Sequence, residues 1–500
     1  MGGGLIQLVA KGKQDIFLIK DPQITFFKVV YRRHTNFSIE PIKLPFNHRP
    51  NFGTKGTCTI TRAGDLVHTI HLVVTLPKVP QITLDGSLDE YKKFRWAKRI
   101  GFVLIKKVEL EIGGQVIDSQ YGDWMNIWYE MTGKKQHGVD KMIGDVKDLT
   151  QFTNGKEEYQ LYIPLQFWFS KSIGQSLPLV ALQYSEVKVN VEFNDRSKCY
   201  SVGPTHSLEV DNDFVNYDDF EYISQTSTVG NTVNAIYMGF NDQTKQLYYQ
   251  KIETDKSFSG TATSNTILNN SDRLAVIRAD SNQKYKIVGD TSKYETMPKI
   301  NTTESTESLA TFRNLNLKNV FLLVDYIFLD DEERVRMAKA HHEFIIEQIQ
   351  FDGEKTITSR NRDVRLGFLN PCKEVYFVMN IDYFLNKGIN DHFNYTNSFK
   401  RCAKTDEWLG KSIIEEATIE LNGKERVSFR DISYFNQLQP YYHHTNGPCE
   451  GVNVYSFGLE PELVQASGTC NMSKIDHIIL KLKNYTGINF VNKAKLRVYM

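Results

Sequence analysis

Two distant stretches of the chain carry the same local signal. Leu110-Glu111-Ile112-Gly113-Gly114-Gln115 leads into the aromatic run Tyr121-Gly122-Asp123-Trp124-Met125-Asn126-Ile127-Trp128, and Ile419-Glu420-Leu421-Asn422-Gly423-Lys424 leads into Phe429-Arg430-Asp431-Ile432-Ser433-Tyr434-Phe435. Each reads as an alternating strand entering a Gly-Gly or Asn-Gly tight turn, where both central residues must take positive φ. Each then enters a short aromatic segment with room for one or two turns of helix. A chain that writes one β module twice is predicted to hold two similar β domains. Duplicated β-sandwiches serve more often as scaffolds than as catalysts.

Composition agrees with sheets and narrows the partners. The chain has 500 residues, enough for about three domains on length alone, although β-rich domains often run long. Its 30 Phe and 25 Tyr suit strands better than helices. Lys plus Arg (60) and Asp plus Glu (59) nearly cancel, so bulk electrostatics does not hold nucleic acid, and a charge near zero favours self-association. The cysteines at 58, 199, 372, 402, 449 and 470 are widely spaced with no C-x-x-C pair. That excludes zinc-ribbon and thioredoxin-like readings and predicts buried, reduced thiols. No apolar run is long enough to cross a bilayer as a helix. Met1-Gly2-Gly3-Gly4-Leu5-Ile6-Gln7 lacks a secretory signal, and Ile6 stands where a myristoylation motif needs Ser or Thr.

Along the chain, residues 1 to 20 read as a Gly-rich arm. Strands are predicted over Ile24 to Glu40, Cys58 to Thr61, Ile70 to Leu76, either side of Gly113-Gly114, Leu161 to Phe169 and Val187 to Phe193. Val320 to Leu329 is a nearly continuous apolar run, expected to be a strand buried on both faces. From Asn194 to Leu315 the composition turns to Ser, Thr, Asn and Asp, with islands at Ala275-Val276-Ile277 and Tyr285-Lys286-Ile287-Val288. Such a stretch is either disordered or a functional excursion with its own hairpins, and the recurring islands favour a β-containing surface insertion. Asp330-Asp331-Glu332-Glu333 opens a connecting helix over Arg334 to His342. A second strand set follows at Phe344 to Phe351, Val375 to Tyr383, Ile413 to Leu421, Val452 to Phe457, Ile475 to Leu482 and Lys495 to Tyr499. Short strands separated by turns indicate sandwiches or barrels rather than βαβ units.

Candidate chemistry is sparse. Gly410-Lys411-Ser412 resembles the end of a phosphate loop, but Thr405 occupies the leading glycine position, so a turn is the better reading. His342-Glu343 lacks the second histidine of a zincin helix, since that position is Ile346. Asp330 to Glu333 read as solvated helix caps rather than paired acids. His443-His444 near Cys449 has no fourth ligand and reads as ordinary hydrogen bonding. Arg32-Arg33-His34 is a basic run on a strand, better suited to a solvated face or a subunit salt link than to nucleic acid. No catalytic, cofactor-binding or metal-binding residue is assigned.

The residues then resemble a known family, the double jelly-roll major capsid proteins of nucleocytoplasmic large DNA viruses. The resemblance rests on Gly3-Gly4-Leu5-Ile6-Gln7-Leu8-Val9-Ala10, Pro22-Gln23-Ile24-Thr25-Phe26-Phe27-Lys28 and Tyr31-Arg32-Arg33-His34-Thr35-Asn36-Phe37. It continues through Ile112 to Asp118, Asp325-Tyr326-Ile327-Phe328-Leu329 with Glu333-Arg334, Leu421-Asn422-Gly423 with Glu425-Arg426, Gln439-Pro440-Tyr441 and Ser467-Gly468-Thr469-Cys470-Asn471, over most of the chain. Two features depart from it: the polar stretch at about 200–315 exceeds the connection in smaller members, and family members usually continue one strand beyond Met500.

The resemblance implies an all-β chain of two tandem eight-stranded jelly-roll barrels. The implied division is an inward-facing arm (1–23), a first jelly roll (24–333) with a surface insertion at about 200–315, a linking helix (334–343) and a second jelly roll (344–500). It further implies a non-enzymatic structural protein whose homotrimer forms a pseudo-hexameric capsomer and tiles an icosahedral shell. Expected partners are neighbouring capsomers, minor capsid and cement proteins, and the internal viral membrane through the arm, without direct nucleic-acid contact. The expected location is the virion, after synthesis and assembly in the host cytoplasm. Two alternatives stay open: a minor capsid or scaffold paralogue of the same fold, and a carbohydrate-binding tandem β-sandwich using Trp124, Trp128, Trp168 and Tyr129 as stacking platforms.

Overall fold

The computed structural model describes residues 3–15, 19–81, 83–84, 87–88, 93–133, 138–204, 315–385, 389–398, 408, 410–485, 487–488 and 493–500, and within the insertion 206–209, 222–226, 232–241, 243, 246–251, 273–276 and 284–286. The first half contributes β1 (Phe37–Pro45), β2 (Lys55–Ile60), β3 (Leu66–Leu76), β4 (Ile105–Ile112), β5 (Gln115–Gln120), β6 (Tyr159–Pro164), β7 (Val187–Phe193) and β8 (Lys318–Leu329). The second contributes β9 (Lys355–Ile357), β10 (Asn361–Leu366), β11 (Glu374–Ile381), β12 (Ile414–Leu421), β13 (Lys424–Asp431), β14 (Val452–Ser456), β15 (Ile478–Asn484) and β16 (Ala494–Tyr499).

The two halves repeat one topology. In the first, β1-β8-β3-β6 form one sheet, joined at β3 by the two-residue strand Leu177–Pro178, and β2-β7-β4-β5 form another. In the second, β9-β16-β11-β14 and β10-β15-β12-β13 reproduce both orders. All these pairings are antiparallel. The duplicated sequence module lands at equivalent places, the β4–β5 and β12–β13 hairpins. Gly113 and Gly114 take φ of 58° and 84°, and Asn422 and Gly423 take 48° and 77°, the two-residue turn that matches the twist of paired strands.

Burial follows the two-residue period of a strand. In β7 the apolar Val187, Val189, Val191 and Phe193 are buried while Lys188 and Glu192 are partly exposed. In β8, Leu322, Val324 and Tyr326 enter the core while Phe321, Leu323 and Asp325 are only partly covered, so burial on both faces is corrected to a central strand with one buried face. The first core runs on into the second half through Tyr376, Val378, Tyr395, Val454 and Tyr499. A second core lies around Phe377, Leu480 and Leu496.

Four local expectations change. Residues 21–36 form no strand, because the ladder begins only at Phe37, and the apolar side chains before it are exposed. Phe344 to Gln350 is likewise a connector without a ladder, and a single bridge joins Phe351 to Tyr499. The connecting helix spans Asp331–Lys339, with Asp330 Oδ1 accepting from the Glu333 amide at 2.9 Å. The final strand β16 lies between β9 and β11, in the interior of its sheet.

Described strands of the insertion form one six-stranded sheet in the order His206–Glu209, Gln246–Lys251, Thr232–Asn241, Tyr222–Thr226, Arg273–Val276, Lys284–Lys286. Ile236 and Met238 anchor it against Phe152 of the first half and Ile389 of the second. The polar runs at 259–265 and 301–307 lie outside the described residues.

Candidate functional site

The chemistry of this chain is concentrated where its halves meet and where apolar side chains face solvent. The helix Gly122–Thr132 follows β5, and its first residue must be glycine. A Cβ at Gly122 would lie 2.1 Å from the Phe102 carbonyl oxygen and 2.5 Å from that of Ile105. One helical turn apart, Trp124 and Trp128 share a face. Trp124 meets Tyr376 edge-on at 5.0 Å between centroids and lies 5.8 Å from Tyr499. Tyr499 stacks on Phe351 at 4.8 Å, and Phe351 lies 4.9 Å from Tyr121.

Charges lock the same seam. Arg497 of β16 reaches Asp123 Oδ2 (3.2 Å), Glu354 Oε2 (2.9 Å) and Asn380 Oδ1 (2.8 Å). Burial works against its charge, but the Asp123 and Glu354 carboxylates outweigh that and raise its pKa. Arg99 pairs with Glu130 and with Asp145 Oδ2 (3.0 Å), and the far oxygen of Glu130 accepts from the Cys449 amide at 3.3 Å. Asn446 donates from its amide to Met131 O at 2.9 Å, and Asn390 donates to Ser197 O (2.7 Å) and Tyr200 O (2.6 Å). Lys171 of the first half and Lys373 of the second both pair with Glu347 of the connector. Burial would raise the Glu347 pKa, but the two ammonium groups prevail and lower it. A cavity of about 380 Å³ lies here, lined by Trp128, Ile345, Ile349, Pro461 and Met500 among others.

A second ionic cluster fixes the loops after β13 and β14. The fully buried His444 imidazole has Nε2 at 2.9 Å from Glu374 Oε1 and Nδ1 at 2.9 Å from Glu462 Oε1. Burial alone would lower its pKa, but the two carboxylates override it and raise the value to about 9. Glu462 also accepts from the Thr445 amide at 2.9 Å and from its hydroxyl.

Two apolar surfaces remain uncovered. In the extended segment 24–36, between the arm and the first ladder, Phe26 is 88 % exposed, Phe27 98 % and Tyr31 89 %, beside exposed Ile24, Val29 and Val30. On the second half, Tyr441 (81 %) and Tyr442 (63 %) stand near exposed Leu459, Leu463 and Val464, and His443 Nδ1 lies 2.9 Å from Leu459 O. Isolated exposed apolar residues need no explanation, whereas clusters of this kind mark interaction surfaces.

The residues singled out from sequence are dispersed. Trp124, Trp168 and Tyr129 are buried in the first core and Trp128 is packed against it under Lys171, so these four form no open stacking platform. Arg32-Arg33-His34 lie on the exposed segment 24–36, not on a strand, because the ladder starts after them. Lys411 and Ser412 sit in a bridge to the 396–397 turn. His342 Nε2 is 2.7 Å from Met337 O, at the end of the helix. Asp330 is the cap already described. His443 and His444 separate, one to a carbonyl and the other into the carboxylate pair. Among the described residues the five cysteines are free, with Cys58, Cys199 and Cys372 buried, and no His, Cys, Asp or Glu cluster has metal-holding geometry. Cys402 and Thr405 lie outside the described residues. Sequence reasoning missed Arg497, Arg99 and the Glu374-His444-Glu462 cluster, whose partners are far apart in the chain.

Comparison with known proteins places this geometry. Residues 25–239 match the family model for the major capsid protein N-terminus, and residues 333–495 match that of the large eukaryotic DNA virus major capsid protein. The chain is 41 % identical to the probable capsid protein 4 of Acanthamoeba polyphaga mimivirus, covering 100 % of this chain and 96 % of the relative. It is 32 % identical to the major capsid protein of Phaeocystis pouchetii virus, with coverage of 100 % and 96 %. Its fold is shared with the Faustovirus major capsid protein at a TM-score of 0.63 and 12 % identity, covering 98 % of this chain and 93 % of the other. The family models and the relatives matched over nearly their full length therefore define a viral capsid protein. The chain belongs to the major capsid protein family of large eukaryotic DNA viruses.

Proposed function

We propose that each half is an eight-stranded jelly roll and that three copies of the chain form a capsomer with six near-equivalent walls. The single observation that carries this reading is the identical strand order of the halves, locked side by side by the Trp124–Tyr376–Tyr499 cluster and the Arg497 ion pairs. A duplicated barrel lets threefold symmetry present a hexagonal outline, and closed barrels limit the strand edges that invite aggregation. The role is structural, as it is in the capsid relatives.

Polarity of the first half supports an inside and an outside. Phe37, where segment 24–36 joins, pairs with Leu329 at the end of β8, while the insertion rejoins at Lys318 at its start. These points are separated by a 12-residue strand, about 36 Å at 3.3 Å per residue. The units of assembly are the arm (1–23), the first jelly roll (24–333), whose ladder starts at Phe37, with its insertion at about 200–315, the link (334–343) and the second jelly roll (344–500). In this reading the arm faces inward, towards minor capsid proteins or the internal membrane. The insertion faces outward, towards cement proteins, fibres or host. Assembly takes place in the host cytoplasm, and nucleic acid is not contacted directly.

Sedimentation of the purified chain tests the assembly. A trimer of about 173 kDa, three chains of 57.7 kDa each, is expected, and a stable monomer at micromolar concentration would refute it. A second reading, a less abundant shell paralogue, draws on one observation: the 41 %-identical relative is described as probable capsid protein 4 rather than as a major capsid protein. Stoichiometry in purified particles separates the two.

A further inference from the structure

We propose that the segment Ile24–Arg33 of one copy seats on the Tyr441–Val464 surface of the next copy, head to tail, and so closes the ring of three. The inference rests on the self-assembly reading above and assigns it a seam.

The two surfaces are complementary in kind. Residues 24–36 carry Lys28, Arg32 and Arg33 and no acidic residue. From Gln439 to Met472 there is no Lys or Arg, and of the acids there Glu460 is exposed, whereas Glu450 accepts from the Ser412 amide and Glu462 is paired with His444. Each surface is apolar at its centre, with Phe26, Phe27, Val29, Val30 and Tyr31 on one and the exposed tyrosines and leucines on the other. Opposite charge at the rim of an apolar contact guides encounter and sets register.

Position permits the contact. Segment 24–36 meets the first ladder at Phe37, beside Asp65 and Leu329, and Leu329 donates its amide to Asp65 at 2.8 Å. The Gly113–Gly114 turn lies at that same end, because the β7 start at Val187 pairs with Ile112, and the Arg62 guanidinium donates to Leu182 O at 2.6 Å. Loop 457–470 leaves the second half at Ser456, which pairs with Glu374 at the start of β11. The Asn422–Gly423 turn is at that end too, since the Asn422 amide donates to His477 O at 2.8 Å. Lys171 and Lys373 meet at Glu347, so corresponding ends of the halves are adjacent. Segment 24–36 and the patch thus share one end of the molecule.

Size and preorganisation agree. Phe26, Phe27 and Tyr31 would together remove about 600 Å² of that segment's surface from water at about 200 Å² per aromatic side chain. That approaches the roughly 800 Å² per partner of a stable interface. The receiving loop is already held by His444–Glu462 and by Lys373 donating to Leu463 O at 3.1 Å, so seating costs little further ordering. A contact between two different patches of identical chains is heterologous and must close into a ring or run on as a filament.

Photocrosslinking of the full chain tests the inference. Phe27, nearly fully exposed, is replaced by p-benzoylphenylalanine, the product is co-assembled with isotope-labelled unmodified chain, and cross-linked peptides are mapped. Residue 27 of one chain is expected to join segment 439–464 of another. In a second arm, Arg32→Glu with Arg33→Glu should lose most of that cross-link, and Glu460→Lys in the same background should recover it. Trimers whose cross-links fall within one chain, on another segment or on another polypeptide would overturn the inference while leaving self-assembly intact, as would failure of the charge swap to recover the product. A chain that stays monomeric would overturn both.

Discussion

Removing the proton from His444 should cost the fold a measurable share of its stability. The imidazole is enclosed between Glu374 and Glu462, and its pKa is about 9 rather than the usual 6.5. A raised folded-state pKa gives stability that is fully present below pH 6.5 and lost as pH rises through 9. The slope in that window is about 1.4 kcal/mol per pH unit, for a total of about 3 kcal/mol. Thermal unfolding should be followed from pH 6.5 to 9.5 for the natural chain and for His444→Gln. The natural midpoint should fall by several degrees more than that of the variant, and the variant should start lower at pH 6.5 because two buried carboxylates lose their cation. Comparing the two cancels other groups, such as Lys156, whose ammonium burial has pulled down to about 8 against the opposing charge of Asp148. Parallel curves for the two proteins would refute the assignment of His444 as the charged centre of that cluster.

Other outcomes follow from the seam and the turns. Arg497→Met should destabilise by about 3 kcal/mol, because it strands Asp123 at the seam while Glu354 keeps only Lys495, and chemical denaturation would then resolve separate transitions for the halves. Trp124→Ala should cost about 3–5 kcal/mol as a cavity opens among Tyr376, Tyr499 and Trp128, read as a lowered denaturation midpoint. Gly423→Ala should cost only about 1 kcal/mol, since its φ of 77° is strained for alanine but open space surrounds it. Gly122→Ala should abolish soluble expression, because its Cβ has no place between the Phe102 and Ile105 carbonyls.

What was legible in the chain depended on how local the signal was. The two hairpins were readable because positive φ at Gly113-Gly114 and Asn422-Gly423 is a demand on single residues. Strand β7 was readable because buried apolar residues, Val187, Val189, Val191 and Phe193, alternate with the polar Lys188, Asn190 and Glu192. Ile24 to Asn36 has strand-forming side chains but no ladder among the described residues, and propensity alone does not supply a partner strand. Short β9 and β10 escaped notice because in β10 only Val364 and Leu366 are buried, too few to set a period. The seam was illegible for another reason. Arg497 and Asp123, or Glu130 and Cys449, are brought together only by the docking of two complete halves.

Imaging of the purified, negatively stained protein is the most direct test of the shell-building account. It should show threefold particles with a six-lobed, near-hexagonal outline, two lobes from each chain. Two-lobed single chains, or threefold particles with one lobe per chain, would contradict it.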